Sequence, residues 1–116
     1  MRQFLKYMRA VGALAVLAGV CPLPVYAADA TEQHLSIKGK LFDPVELDVP
    51  AGQKIKIIVK NEDGDAAEFE SFELNREKVV PAHDEVTVYV GPLDPGTYPF
   101  FNDFDPQKAK GRIVAK

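Results

Sequence analysis

What most limits this chain is the brevity and the alternation of its apolar runs. Between residues 33 and 114 the β-branched and aromatic residues recur in stretches of five to eight, punctuated by Pro and Gly, and no window carries the spacing of an amphipathic helix. The stretch Lys54-Ile55-Lys56-Ile57 shows the pattern most clearly, with lysines on one face and isoleucines on the other, as a half-buried strand requires. The spacing predicts strands at 33–38 (His34, Leu35, Ile37), 45–49 (Val45, Leu47, Val49), 54–60, 67–74 (Phe69, Phe72), 85–90, 97–101 and 110–114. Seven short strands in under 90 residues predict an all-β protein, an antiparallel sandwich or barrel.

Pro50-Ala51-Gly52 and Pro95-Gly96 read as turns, Pro supplying its fixed φ and Gly a positive one. If Gly91 to Gly96 closes a hairpin between the strands at 85–90 and 97–101, His83 and Asp84 come to the same end of the fold as Asp103 and Asp105.

The N-terminus follows a different logic. Arg2, Lys6 and Arg9 precede an apolar run from Ala10 to Val20, and Val25-Tyr26-Ala27 places small residues where a signal peptidase cuts. The run is shorter than the roughly 20 residues that cross a bilayer, and Pro22 and Pro24 follow it. Residues 1–27 are therefore expected to be a Sec-type signal peptide, and residues 28–116 a single domain delivered to the periplasm. Val20 sits where a lipoprotein signal needs a small residue before Cys21, so no lipid anchor is expected. The leader holds three of the 14 basic residues and none of the 17 acidic ones, so its removal takes the formal charge from −3 to −6. That balance argues against nucleic acid or an anionic membrane as partner and suits a metal cation.

Five short motifs, Phe42-x-Pro44, Val49-Pro50-Ala51-Gly52, Asn61-Glu62-Asp63, Pro95-Gly96-Thr97-Tyr98-x-Phe100 and Gly111-x-Ile113-Val114, occur in an order and spacing that resembles the cupredoxins. The resemblance spans essentially all of residues 28–116. It implies a Greek-key antiparallel β-sandwich of two sheets, with a metal site at one end. It also implies that Glu68 stands at the position of the first His ligand, Asn102 at that of the Cys, Asp105 at that of the second His, and Ala109 or Lys110 at that of the Met. A blue-copper centre needs the thiolate and both imidazoles. Beyond residue 27 the chain has no Cys and no Met, so type 1 copper and electron transfer through it are excluded by composition.

Carboxylates stand there instead. Glu68 and Glu70 share one face of their strand by alternation, with Phe69 turned inward, and Asp103 and Asp105 follow the aromatic strand in the loop expected to face them. Oxygen donors suit Fe³⁺, Fe²⁺, Mn²⁺ or Ca²⁺, and His83 would move the preference toward first-row transition metals. The candidate metal ligands are Glu68 and Asp105 at family ligand positions, Glu70 and Asp103 beside them, and His83. The run Ala67-Glu68-Phe69-Glu70-Ser71-Phe72-Glu73-Leu74 is similar to the cupredoxin-like components that accompany bacterial ferrous-iron permeases. That similarity implies an iron-uptake accessory, with an inner-membrane iron permease and other periplasmic iron-uptake components as partners. Iron is the implied cofactor, and copper at a site other than type 1 the alternative.

Plainer readings stand beside these. The acidic residues could be solvated carboxylates of an acidic surface, His83 an exposed turn residue and His34 a surface residue. Glu73 and Glu77 read as solvated partners of Arg76 and Lys78. No nucleophile stands beside a base in any hydrolytic motif, so hydrolase and transferase chemistry are not expected. A ferroxidase, and a metal-free module that docks to a permease or a periplasmic partner, remain open.

Overall fold

The computed structural model describes residues 30–105, 107 and 109–116; the expected signal peptide lies outside them. All the regular structure among these residues is strand: β1 (Thr31–Lys38), β2 (Leu41–Asp43), β3 (Glu46–Val49), β4 (Ile55–Asn61), β5 (Ala67–Ser71), β6 (Arg76–Val80), β7 (Glu85–Val90), β8 (Gly96–Phe101) and β9 (Lys110–Ala115). They form one sheet of order β2-β1-β4-β7 and another of order β3-β9-β8-β5-β6, packed as the all-β two-sheet sandwich that the family resemblance implies.

Two strands exceed the seven expected, and each follows from a turn fixed by one or two residues. Between β1 and β2 the chain reverses through Gly39 and Lys40, both left-handed at φ 59° and 65°, the geometry of a two-residue hairpin turn. Lys40 is held there because the Asp63 carboxylate accepts hydrogen bonds from both Gly39 N and Lys40 N at 2.8 Å. The stretch 67–74 is not one strand. Ser71 Oγ accepts from Leu74 N at 3.2 Å and donates to Pro99 O at 2.7 Å, and Asn75 takes a left-handed φ of 52°. A serine and an asparagine thus turn the chain back as β6, although Phe72 and Leu74 continue the apolar alternation.

Pairing also departs from the antiparallel expectation at two places. β1 runs parallel to β4, and β3 parallel to β9, so both sheets are mixed. β7 pairs with β4 in one sheet while β8 pairs with β9 and β5 in the other. The segment Gly91 to Pro95 is therefore a crossover between sheets rather than the turn of a hairpin.

The core lies between the sheets, built from Leu35, Ile37, Ile55, Ile57 and Val59 on one side and Leu47, Phe69, Phe100 and Ile113 on the other. Phe42, Phe69 and Phe100 pack together at its heart, with the Phe100 ring 4.9 Å from Phe42 and 5.0 Å from Phe69 between centroids. Gly111 makes room for this cluster, since a Cβ there would lie 2.4 Å from Phe100 Cζ. The aromatic strand β8 is thus the central strand of its sheet, anchored in the core by Phe100, and its outward face and following loop carry the chemistry.

Candidate metal centre

On β5 the residues Ala67, Phe69 and Ser71 face inward, which leaves Glu68 and Glu70 on the outer face of the five-stranded sheet. β8 pairs Phe101 with Glu70 and then delivers Asp103 to the same face. Carboxylate oxygens of Glu68, Glu70 and Asp103 lie within 4.8 Å of one another. Asp103 is exposed and Glu70 half-buried, but Glu68 is only 4% exposed although it lies on the outer face. Its Oε1 has no hydrogen-bond partner. A carboxylate withdrawn from water with an unpartnered oxygen is costly, so such groups need a cation, a proton or a donor.

The electrostatics express that cost. Burial pushes the Glu68 carboxyl up to about 7, helped by the neighbouring carboxyls of Glu77, Asp103 and Glu70. Glu70 is raised too, by desolvation first and then by Asp103 and Glu77, while Glu68 acts in the opposite direction. Among the described residues no Lys, Arg or His pairs with this group, and the ion pair they do contain, Arg112 with Glu46 at 2.8 Å, lies elsewhere on the sheet. Near neutral pH a cation arriving here would take the place of a proton on Glu68.

Glu77 belongs to this surface, contrary to its reading as a solvated partner of Arg76 and Lys78. The β5–β6 hairpin sets Glu77 directly opposite Glu70, and alternation turns Arg76 and Lys78 to the other face of the strand. Arg76 instead donates to the carbonyls of Tyr89, Leu74 and Asn75. The signal that could have located Glu77 is the turn chemistry of Ser71 and Asn75, which fixes the hairpin register.

Asn102, at the Cys position implied by the resemblance, is buried and acts as a pin. Its Oδ1 accepts from Glu68 N at 2.9 Å and from Phe104 N at 3.1 Å, and its backbone N–H bonds Ala109 O at 2.9 Å. One side chain therefore ties the loop after β8 to the residue carrying the buried carboxylate. Asp105 does not join the three-carboxylate group; it lines a separate cavity of about 200 Å³ with Asp63, Asp65 and Lys40. His83 is exposed, left-handed at φ 52°, with its N–H bonded to Asp63 O at 3.1 Å and its imidazole beside Gly64. It too stands apart from the group, and His34 is exposed on β1.

Beside the carboxylates the outer face turns apolar. Phe72, 74% exposed, packs on Phe101 at 5.3 Å, and both line an open groove of about 680 Å³ that Asp103 and Lys110 also border.

The donor set fits a hard cation and does not fit type 1 copper. Three oxygen donors converge, one of them buried and unpartnered, whereas no sulfur exists beyond residue 27 and neither His reaches the group.

Comparison with known proteins agrees with this architecture. A family described as cupredoxin-like domain matches residues 10–115. An uncharacterized protein of Rickettsia prowazekii is 40% identical over 83 residues, which cover 72% of this chain and 66% of that protein, just under two thirds of its length. Among solved structures, auracyanin A, a blue copper protein of Chloroflexus aurantiacus, superposes with a TM-score of 0.66 at 17% identity, over 76% of this chain and all of that one. The metal-binding domain of a Cu(I)-exporting P-type ATPase of Streptococcus pneumoniae, solved with Cu(I), gives 0.65 at 14% identity, over 79% of this chain and 91% of the domain. At these identities the two structures share the fold.

Proposed function

The chain belongs to the cupredoxin-like domain family, and from that premise we propose that it is a periplasmic protein that binds a hard metal ion, iron, through Glu68, Glu70 and Asp103. The observation that carries this reading is the buried Glu68 carboxyl with its unpartnered Oε1, aimed into a group of carboxylates that no cation of the described residues compensates. Oxygen donors favour iron, manganese or calcium over Cu(I). Iron is chosen among them because the Glu-rich β5 resembles the cupredoxin-like components of ferrous-iron permease systems. In that setting the protein is an accessory of iron uptake, exported by residues 1–27, with an inner-membrane permease as its partner.

Anaerobic titration of the purified protein with Fe²⁺, Mn²⁺ and Cu²⁺ tests the reading. Micromolar binding of Fe²⁺ is expected in the wild type and in Asp105→Ala, and its loss in Glu68→Gln. Millimolar binding alike in all three proteins would sink it. Oxygen consumption on adding Fe²⁺ would mark a ferroxidase rather than a carrier.

A second reading, a metal-free docking module, is favoured by the exposed Phe72 packed on the half-buried Phe101 along the groove. It gains if Fe²⁺ fails to bind while Phe72→Ser abolishes association with a permease.

A further inference from the structure

Three acidic side chains hold the proposed ion, and a fourth, Glu77, stands on the same face of the sheet outside that group. Glu77 is opposite Glu70 in the β5–β6 ladder, on the face that also carries Glu68, and its charge acts on both Glu68 and Glu70. Two anions placed directly across an antiparallel pair repel one another, so the register is unfavourable unless something positive lies between them. The lysine and arginine that flank Glu77 in sequence are turned to the opposite face. Lys110, the basic residue in the same row of the sheet, lies a strand beyond Phe101, roughly 10 Å from the β5 backbone at the usual strand spacing. β6 is an edge strand and Glu77 is exposed, so its side chain is free to move onto an ion seated over Glu68.

We propose that Glu77 is the fourth oxygen donor of this site and that the four-carboxylate cluster thereby selects trivalent over divalent cations. The inference rests on the metal-site reading above. Charge is its physical basis: four ionised carboxylates sum to −4, which a divalent ion cuts to −2 and a trivalent ion to −1, so each added cationic charge is attracted by four anions at once. Glu68 strengthens this because it is already desolvated in the fold, so that less water is left to screen its charge. Hard cations take six to eight oxygens, so a fourth protein carboxylate is accommodated without displacing the other three.

The experiment compares Tb³⁺ with Ca²⁺, two oxygen-seeking ions that differ in charge, on the full protein and on Glu77→Gln and Glu68→Gln, by competition calorimetry. The wild type is expected to bind Tb³⁺ at least a hundredfold more tightly than Ca²⁺. Glu77→Gln keeps the shape of the side chain and removes its charge, and is expected to lower that ratio at least tenfold. Because the position is exposed on an edge strand opposite a like charge, a thermal melt of the metal-free variant should be no lower than that of the wild type. An unchanged ratio in Glu77→Gln, with Glu68→Gln losing both ions, overturns the fourth donor and leaves the metal site standing. If Glu68→Gln also binds both ions as the wild type does, the site itself is wrong, and the fourth donor falls with it.

Discussion

Asp63 and Glu68 lie in the same acidic stretch of the chain, and their carboxylates have opposite fates. Asp63 accepts two backbone hydrogen bonds, from Gly39 and Lys40, and so holds a left-handed turn. Glu68, more deeply buried, has an oxygen that accepts none and three other carboxylates acting on it. Acid density is therefore a poor guide to a metal site. What separates the structural carboxylate from the candidate ligand is whether the fold already supplies its donors.

That contrast is breakable, most forcefully through metal affinity. Glu68→Gln is expected to move Fe²⁺ binding from the micromolar to the millimolar range, a loss of about 4 kcal/mol. Asp63→Ala and Asp105→Ala should leave affinity within a factor of two or three. Equal losses in all three variants, measured by calorimetry, would mean that the loop-end aspartates and the β5 carboxylates form one site after all.

Stability against pH comes next. The folded carboxyl of Glu68 titrates at about 7 against an ordinary 4.5, so the metal-free fold holds this proton more tightly than the unfolded chain does. The associated stability is fully present below pH 4.5 and is lost as pH rises through 7. Glu68→Gln, permanently neutral, should match the wild type near pH 4 and exceed it by up to roughly 3 kcal/mol at pH 8.5. Urea melts at the two pH values check this, and a difference that does not grow with pH would show that Glu68 stays hydrated. Saturating metal should erase the advantage by favouring the ionised form in the wild type.

Asn102 links the two regions, since it bonds Glu68 N and also lines the cavity of Asp63 and Asp105. Asn102→Ala leaves the N–H groups of Glu68 and Phe104 without their acceptor, at a cost of roughly 2 to 3 kcal/mol. It should also weaken metal binding about tenfold by releasing the loop that carries Asp103. Full affinity in a destabilised variant would separate the pin from the site. The smallest effect belongs to Asp63→Ala, about 1 kcal/mol in an exposed turn, with unchanged metal affinity and loss of protection at the amides of Gly39 and Lys40 in hydrogen exchange.

Much of the fold is legible in the residues themselves, because strand alternation is a local property. Ile55, Ile57 and Val59 are all buried in β4, and Phe69 and Phe100 all but fully, as their spacing implies. The hairpin at Ser71 to Asn75 was hidden because Phe72 and Leu74 imitate a continuing strand while the Ser71 hydroxyl and the left-handed Asn75 backbone turn the chain. Glu68 and Glu70 were likewise visible as a pair on one face, and Asp103 came with them through the loop after β8. Glu77 was obscured by the basic residues on either side of it. They are neighbours in sequence and lie on the opposite face of the sheet.

By itself the sequence determined an all-β fold of short strands, and it ruled out a sulfur-ligated centre beyond residue 27, because periodicity and composition need no knowledge of which strands meet. Only the tertiary structure decided which carboxylates form a group. That choice depends on register between strands and on the order in which they enter a sheet, quantities set by contacts between residues far apart in the chain. The five-stranded order β3-β9-β8-β5-β6 places Asp103 and Glu77 on either side of the buried Glu68 and leaves Asp105 in the neighbouring cavity.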